Sequence, residues 1–306
     1  MLKAMEIVTG KWNNNKYIVL SKLGEGGIGE VYKVKDVKGN TRALKISKDV
    51  NSITREFNMM KNLKQIKNLP KVYEMDDYKK NGSIYYFLIM DYIEGYSIKD
   101  IIRYGNMKVK DIIGIGIILL NILEKIYKMG YIYSDIKPAN IMIDKKGRKV
   151  SFIDFGGVTQ VGRGIKEFTP TYSTFFWGIG RDGDYNTNII FSTAMIISSM
   201  LLKKEFNPLL HSLEHIISSI RQLILDSRLK KCLIKALRGE INDIIIFKEE
   251  LKILFEKCNK SLVVISNTNS PINLNMKNNL AVDIFFMLSV GFLAIVAIVG
   301  INIYFF

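Results

Sequence analysis

Between Tyr17 and Ser47 apolar and polar positions alternate, first in YIVLSKLGEGGIGEVYKVKD and then in NTRALKIS. Val19, Leu23, Val31, Val34 and Ala43 are spaced as strand residues, and Lys38-Gly39-Asn40 supplies a turn. The stretch predicts a strand, a glycine turn and two further strands. The stretches ITREFNMMKNLKQI and NIIFSTAMIISSMLL read instead as helices. So does Arg221 to Arg238, where Arg228, Lys231, Lys235 and Arg238 recur at three- and four-residue steps and predict one basic face.

The end of the chain has a different pattern. From Ile284 to Phe306 the sequence IFFMLSVGFLAIVAIVGINIYFF holds no charged residue. At about 1.5 Å per residue such a helix exceeds the ~30 Å hydrocarbon core of a bilayer, so the run predicts a membrane span. A buried core helix is the competing reading, and core helices are rarely apolar all round for so long. Residues 258–283 have the Asn- and Ser-rich composition of a linker. Lys257, Lys260 and Lys277 precede the run and no lysine follows it. The positive-inside bias therefore predicts a cytoplasmic N-terminal part at the cell membrane, with the C-terminus at or beyond the outer face. The opening MLKAMEIVTGKWNNNKY lacks the apolar core of a secretory signal.

Composition narrows the chemistry. At 306 residues with 48% hydrophobic positions and five prolines, the chain is neither disordered nor collagen-like as a whole. Two cysteines and two histidines are too few for a disulfide framework or a Cys/His metal centre. His211 and His215 stand four apart but lack the glutamate of a metalloprotease helix. Lysine and arginine total 44 against 29 acidic residues, a net charge of +15. That excess suits polyanionic partners, with lysine-rich composition as the bland alternative. The segment 221–238 concentrates it; a solvated helix face is the ordinary reading there, and a site for DNA or anionic lipid is the sharper one.

Gly24, Gly26 and Gly29 form GxGxxG, where glycine lets backbone N–H groups approach phosphates. A dinucleotide site would need a helix directly afterwards, yet EVYKVKD continues as a strand. Lys45 sits in the apolar strand ALKIS and requires an anionic partner, for which Glu56 is the candidate. Farther on, YSDIKPANIMID carries Asp135, Lys137 and Asn140, and FIDFGG carries Asp154. Phosphoryl transfer relies on positioning and on cations near the phosphate oxygens, and hard magnesium ions prefer carboxylate and amide oxygens.

In these motifs, their order and their spacing, the chain resembles the Hanks-type (eukaryotic-like) bacterial serine/threonine protein kinases over about residues 17–257. The resemblance implies an α+β, two-lobed fold. It divides the chain into an extension at 1–16, a β-rich lobe at 17–90, a hinge and helical lobe at 91–257, the linker at 258–283 and the span at 284–306. It implies ATP and Mg2+ as cofactors, with Mn2+ as a substitute ion, and protein substrates. Gly24, Gly26 and Gly29 would cover the phosphates, and Lys45, paired with Glu56, would hold the α- and β-phosphates. Asp135 would position or deprotonate the substrate hydroxyl, Lys137 would neutralise the transferring group, and Asn140 and Asp154 would hold the metal. Met90 would be the gatekeeper. Asp91 and Ile93 would bond adenine through backbone groups, and Val31, Ala43 and Met142 would sandwich the base.

The sequence also departs from that pattern. Tyr133-Ser134-Asp135 replaces His-Arg-Asp, so the arginine that would bind a phosphorylated activation segment is missing. The segment's hydroxyl residues are Thr159, Thr169, Thr171 and Ser173. Phe176 and Ile244 stand where a buried Glu–Arg pair is usual, and exchanging both partners for apolar residues can be nearly neutral. Asn188 or Ile189 falls near the aspartate of the central helix. These departures favour a pseudokinase or nucleotide-binding membrane scaffold as the alternative function. Retention of Lys45, Glu56, Asp135, Asn140 and Asp154 favours an active enzyme. A small-molecule kinase of the same fold is a third reading, against which stands the lysine in DIKPAN.

Overall fold

The computed structural model describes residues 2–26, 29–147, 149–163, 169–179 and 184–263, with side chains as far as residue 258. The apolar run 284–306, the linker from residue 264, Lys277 and residues 164–168 of the activation segment lie outside the described residues, as does the side chain of Lys260.

The alternation read from the sequence produces the first part of the fold. Strands β1 (Ile7–Thr9), β2 (Lys16–Gly26), β3 (Gly29–Asp36) and β4 (Thr41–Ser47) lead into helix α1 (Val50–Asn62), and β5 (Val72–Lys80) and β6 (Ser83–Asp91) follow. Together they form a six-stranded antiparallel sheet in the order β1-β2-β3-β4-β6-β5. Register pairs Val31 with Lys45 and Ala43 with Met90, so these side chains share the inner face. Helix α1 starts at Asp49, whose carboxylate accepts the N–H groups of Asn51 and Ser52, and it buries Ile53, Glu56 and Met60.

On the outer face, Tyr17, Val19, Tyr32, Val34, Leu44, Ile46, Phe87 and Ile89 form a second core, closed by Leu2 and Val8. The extension ahead of residue 17 adds an edge strand to the sheet, with Val8 of β1 opposite Tyr17 of β2. The signal was weak because β1 is only three residues long. Asp76, 3% exposed, fastens this segment by accepting N–H groups of Trp12 at 3.0 Å and Asn13 at 2.7 Å. Gly10 is required beside it, since a Cβ there would lie 2.3 Å from Asp76 Oδ2. Replacing Asp76 by Ala is expected to lower the free energy of unfolding by about 2 kcal/mol, read by urea denaturation. An unchanged midpoint would show that the segment is not fastened there.

The remaining chain is mainly helical: β7 (Gly95–Ser97), α2 (Ile98–Tyr104), α3 (Val109–Lys128), β8 (Tyr131–Tyr133), β9 (Ile141–Asp144), β10 (Val150–Phe152), β11 (Val158–Gln160), α4 (Tyr185–Leu202), α5 (Leu213–Gln222), α6 (Ser227–Leu237) and α7 (Ile244–Val263). Helix α3 packs on α4 and α7, and α6 also packs on α4. Helix α4 is long and apolar enough to cross a membrane by composition, but 83% of it is buried inside the fold. It is the centre of the helical part, which explains its lack of a polar face. Two short sheets, β10-β9-β7 and β11-β8, lie between the β-rich and helical parts and carry the connections that hold Asp135 and Asp154.

Candidate active site

Three charged groups meet between the sheet and the helical part. Lys45 on β4 places Nζ 2.6 Å from Glu56 Oε2 on α1 and 3.2 Å from Asp154 Oδ1, just after β10. Lys45 and Glu56 are 6% and 1% exposed. Burial works against the Lys45 ammonium, but the carboxylates of Glu56 and Asp154 outweigh it and hold the group above its ordinary value. Burial likewise opposes ionisation of Asp154, and Lys45 with the Gly156 N–H overcomes it, so this carboxyl stays below the usual range. The Phe155 N–H donates to Glu56 Oε1 at 3.4 Å, linking α1 to the Asp154 segment.

Asp135 and Lys137 lie between β8 and a short 3-10 turn, Pro138–Asn140, that leads directly into β9. Asn140 Nδ2 donates to the Asp135 carbonyl and to its Oδ2, each at 3.0 Å. The amide oxygen of Asn140 is thereby left for another partner. Lys137 Nζ lies 2.6 Å from Asp135 Oδ2, and the Thr169 hydroxyl donates to Asp135 Oδ1 at 2.8 Å. Thr169 appeared in the sequence only as one hydroxyl of the activation segment; its spacing carried no sign of this contact.

The glycine arms and the chain after β6 complete the set. Gly24 and Gly26 have no heavy atom within 4 Å of where a Cβ would stand. Gly29 is obligatory, with φ +145° and a would-be Cβ 2.3 Å from the Ile46 carbonyl oxygen. Val31, Ala43 and Met90 line the inner face of the sheet, while Met142, half-buried, sits on β9. Asp91 uses its side chain structurally, accepting from Tyr73 Oη, Arg42 and the Lys71 N–H. The backbone N–H and C=O of Ile93 have no hydrogen-bond partner among the described residues. These features suit a nucleotide: open backbone at the glycines, an edge of free backbone groups at Ile93, and a buried ammonium. They suit a divalent cation equally, because Asp154 and Asn140 each offer oxygen, and Mg2+ takes few protein ligands when phosphates and water supply the rest.

The departures resolve individually. Tyr133, in the histidine's place, is 1% exposed and donates its hydroxyl to the Asp154 carbonyl at 2.5 Å. Burial and the surrounding carboxylates keep that phenol protonated. Ser134 donates to the Gly157 carbonyl at 2.5 Å, tying the same two segments together. Of the two candidates on α4, Asn188 is the polar one, but its Oδ1 accepts the Thr174 N–H at 3.1 Å, after the activation segment and not in the loop of Asp135, whereas Ile189 is core. Ile244 is core as expected, but Phe176 is 45% exposed and stacks edge-on against Phe175. The expected exchange of a buried ion pair for two buried apolar residues is therefore only half realised.

The basic segment is partly neutralised. Arg228, Lys231, Lys235 and Arg238 are all exposed along α6 and its C-terminal cap, but Arg228 is paired with Glu250 and Arg238 with Glu214. Lys230 donates to the Arg221 carbonyl. Cys232 is buried and its thiol is pushed up to about 12, so it is inert as a nucleophile. Among the described residues no cluster of three His, Cys, Asp or Glu side chains could hold a metal.

A family model described as the protein kinase domain matches residues 17–261. Serine/threonine-protein kinase YabT of Bacillus subtilis is 33% identical over 245 residues, covering 78% of this chain and 71% of that protein. The probable serine/threonine-protein kinase CPE1738 of Clostridium perfringens is 38% identical over 155 residues, covering 48% of this chain and 22% of its own length. Serine/threonine-protein kinase KIC1 of Saccharomyces cerevisiae is 33% identical over 162 residues, 51% of this chain and 14% of that protein.

Proposed function

The chain belongs to the protein kinase family, and from that premise we propose that it transfers the γ-phosphoryl group of ATP to serine or threonine hydroxyls of protein substrates. The observation that carries this reading is the buried Lys45–Glu56 pair at 2.6 Å, joined to Asp154 at 3.2 Å. An ammonium kept charged at that depth, beside open glycine backbone, suits the polyphosphate of a nucleotide.

In this reading Lys45 holds the α- and β-phosphates and Glu56 fixes its direction. Backbone groups at Gly24, Gly26 and Gly29 receive the phosphate oxygens, and the free groups of Ile93 receive the adenine edge, with the Asp91 carbonyl beside them. Val31, Ala43 and Met142 enclose the base. Asp135 Oδ1 accepts the proton of the attacking hydroxyl, and Lys137, already 2.6 Å from Asp135 Oδ2, neutralises charge on the transferring group. Asn140 and Asp154 would hold Mg2+, or Mn2+ in its place, which when bound neutralises phosphate charge.

The test is incubation of the full chain with radiolabelled ATP, magnesium and a basic protein substrate, beside an Asp154→Asn control. Label on serine or threonine from the parent, and none from the control, is expected. An inactive parent that still binds ATP would favour the nucleotide-binding scaffold. Because Ser134 offers no cation to a phosphorylated segment, phosphatase treatment is expected to leave the rate unchanged; a large loss would show that another cation has taken that role.

The reading extends to location. The apolar run 284–306 and the lysines before it support a single C-terminal span with the kinase domain on the cytoplasmic face. Deleting Asp283 to Phe306 is expected to move the protein from the membrane to the soluble fraction. Membrane binding that survives both the deletion and high salt would refute the anchor.

A further inference from the structure

The nucleotide-facing side chains that the six-stranded sheet contributes lie on its inner face, yet the outer face holds a polar network that this reading does not use. Tyr32, 1% exposed, accepts the Leu2 N–H at 2.9 Å and donates its hydroxyl to Glu30 Oε2 at 2.6 Å. Glu30 Oε1 lies 2.7 Å from Lys22 Nζ, and the same ammonium is 2.6 Å from Glu25 Oε2. Lys22 and Glu25 belong to the first arm of the glycine hairpin, Glu30 and Tyr32 to the second. Strand alternation turns Val31 toward the cleft and Glu30 and Tyr32 away from it. Burial pushes the Tyr32 phenol up to about 12, which keeps it a donor at neutral pH.

Apart from the backbone ladder that pairs the two arms and joins β3 to β4, the tips of the arms have few contacts. Gly24 and Gly26 contribute no side chain, and nothing lies within 4 Å of either would-be Cβ. Behind them is a cavity of about 270 Å³ lined by Leu2, Gly26, Gly29, Glu30, Ile46 and Tyr85 among others. Hairpin tips without apolar backing take their position from that ladder and from polar ties. One of those ties runs through the Tyr32 hydroxyl to the backbone of Leu2, and residues 2–13 are fixed in turn by β1 and by Asp76.

We propose that Tyr32 is a positioning residue for the nucleotide phosphates, using the N-terminal segment as an anchor that presets the spacing of the glycine arms. The proposal rests on the reading of the site as an ATP site. It predicts a selective effect, because the glycines at the tips of the arms meet the phosphates, whereas Val31, the one arm residue at the base, is paired in the ladder with Lys45 of β4. In the full chain, Tyr32→Phe keeps the buried ring and removes only the hydroxyl. Affinity for ATP with magnesium is expected to weaken about three- to tenfold, the range for one lost ordinary hydrogen bond, while affinity for adenosine is unchanged. Glu30→Gln, which keeps the shape and loses the charge facing Lys22, is expected to act in the same direction.

Calorimetric titration of both ligands against the parent and the two variants decides the matter. Weaker ATP binding with equal adenosine binding supports the proposal. Unchanged ATP affinity in both variants overturns it, and so does an equal loss for ATP and adenosine, which would mean a general loosening of the sheet. A parent that binds neither ligand would instead refute the ATP reading itself.

Discussion

A Lys45→Met variant is expected to lose phosphoryl transfer by at least about 10²- to 10³-fold, the scale on which removal of one preorganised charge stabiliser acts. The substitution removes the cation from a site where Lys45 is 6% and Glu56 1% exposed. Breaking a buried pair on one side leaves the other charge unmatched, at a cost of about 3–5 kcal/mol. Glu56 relieves part of this by taking up a proton, since burial already pushes its carboxyl upward. A carboxyl raised in the folded state binds more protons there than in the unfolded chain, so stability falls as pH rises above the ordinary glutamate value. The variant's thermal deficit relative to the parent is therefore expected to shrink as pH is lowered. Lys45→Met combined with Glu56→Leu removes both charges and is expected to regain most of the stability while remaining inactive. Turnover by either variant within tenfold of the parent would separate Lys45 from the reaction.

Much of this site was legible in the sequence because each signal belongs to a different physical constraint. The glycines had to come from close backbone approach, and Gly29 does so against Ile46. A lysine in an apolar strand had to find a carboxylate, and it found Glu56 and also Asp154, 109 positions away. What stayed hidden were contacts whose residue types have common alternative uses. Thr169 reads as any loop hydroxyl until the fold brings it to Asp135. Tyr133 and Ser134 read as losses, yet both hydroxyls bond the chain after β10, at the Asp154 and Gly157 carbonyls. The N-terminal strand was invisible because three residues give no period, and its fastening depends on Asp76, an acid on a strand rich in polar residues. Phe176 failed the other way: an apolar residue was assigned to the core, and the fold leaves it 45% exposed.

Replacing Asp135 by Asn is expected to lower kcat by about 10²- to 10⁴-fold, the contribution of a positioned general base. The two carboxylate oxygens have different neighbours. Oδ1 accepts the Thr169 hydroxyl at 2.8 Å, an arrangement an amide oxygen can keep. Oδ2 faces Asn140 Nδ2 at 3.0 Å and Lys137 Nζ at 2.6 Å, and there an amide nitrogen would meet two donors. The variant therefore loses proton-accepting capacity and loosens Lys137 and Asn140 together, with little change in the apolar core. In the proposed reading the Lys45–Glu56–Asp154 cluster holds the nucleotide side, so KM for ATP is expected to stay within about threefold of the parent. Steady-state kinetics with varied ATP and saturating protein substrate give both quantities. A rise in KM for ATP with kcat preserved would assign Asp135 to nucleotide binding instead. A kcat within tenfold of the parent would mean that the hydroxyl proton leaves by another route.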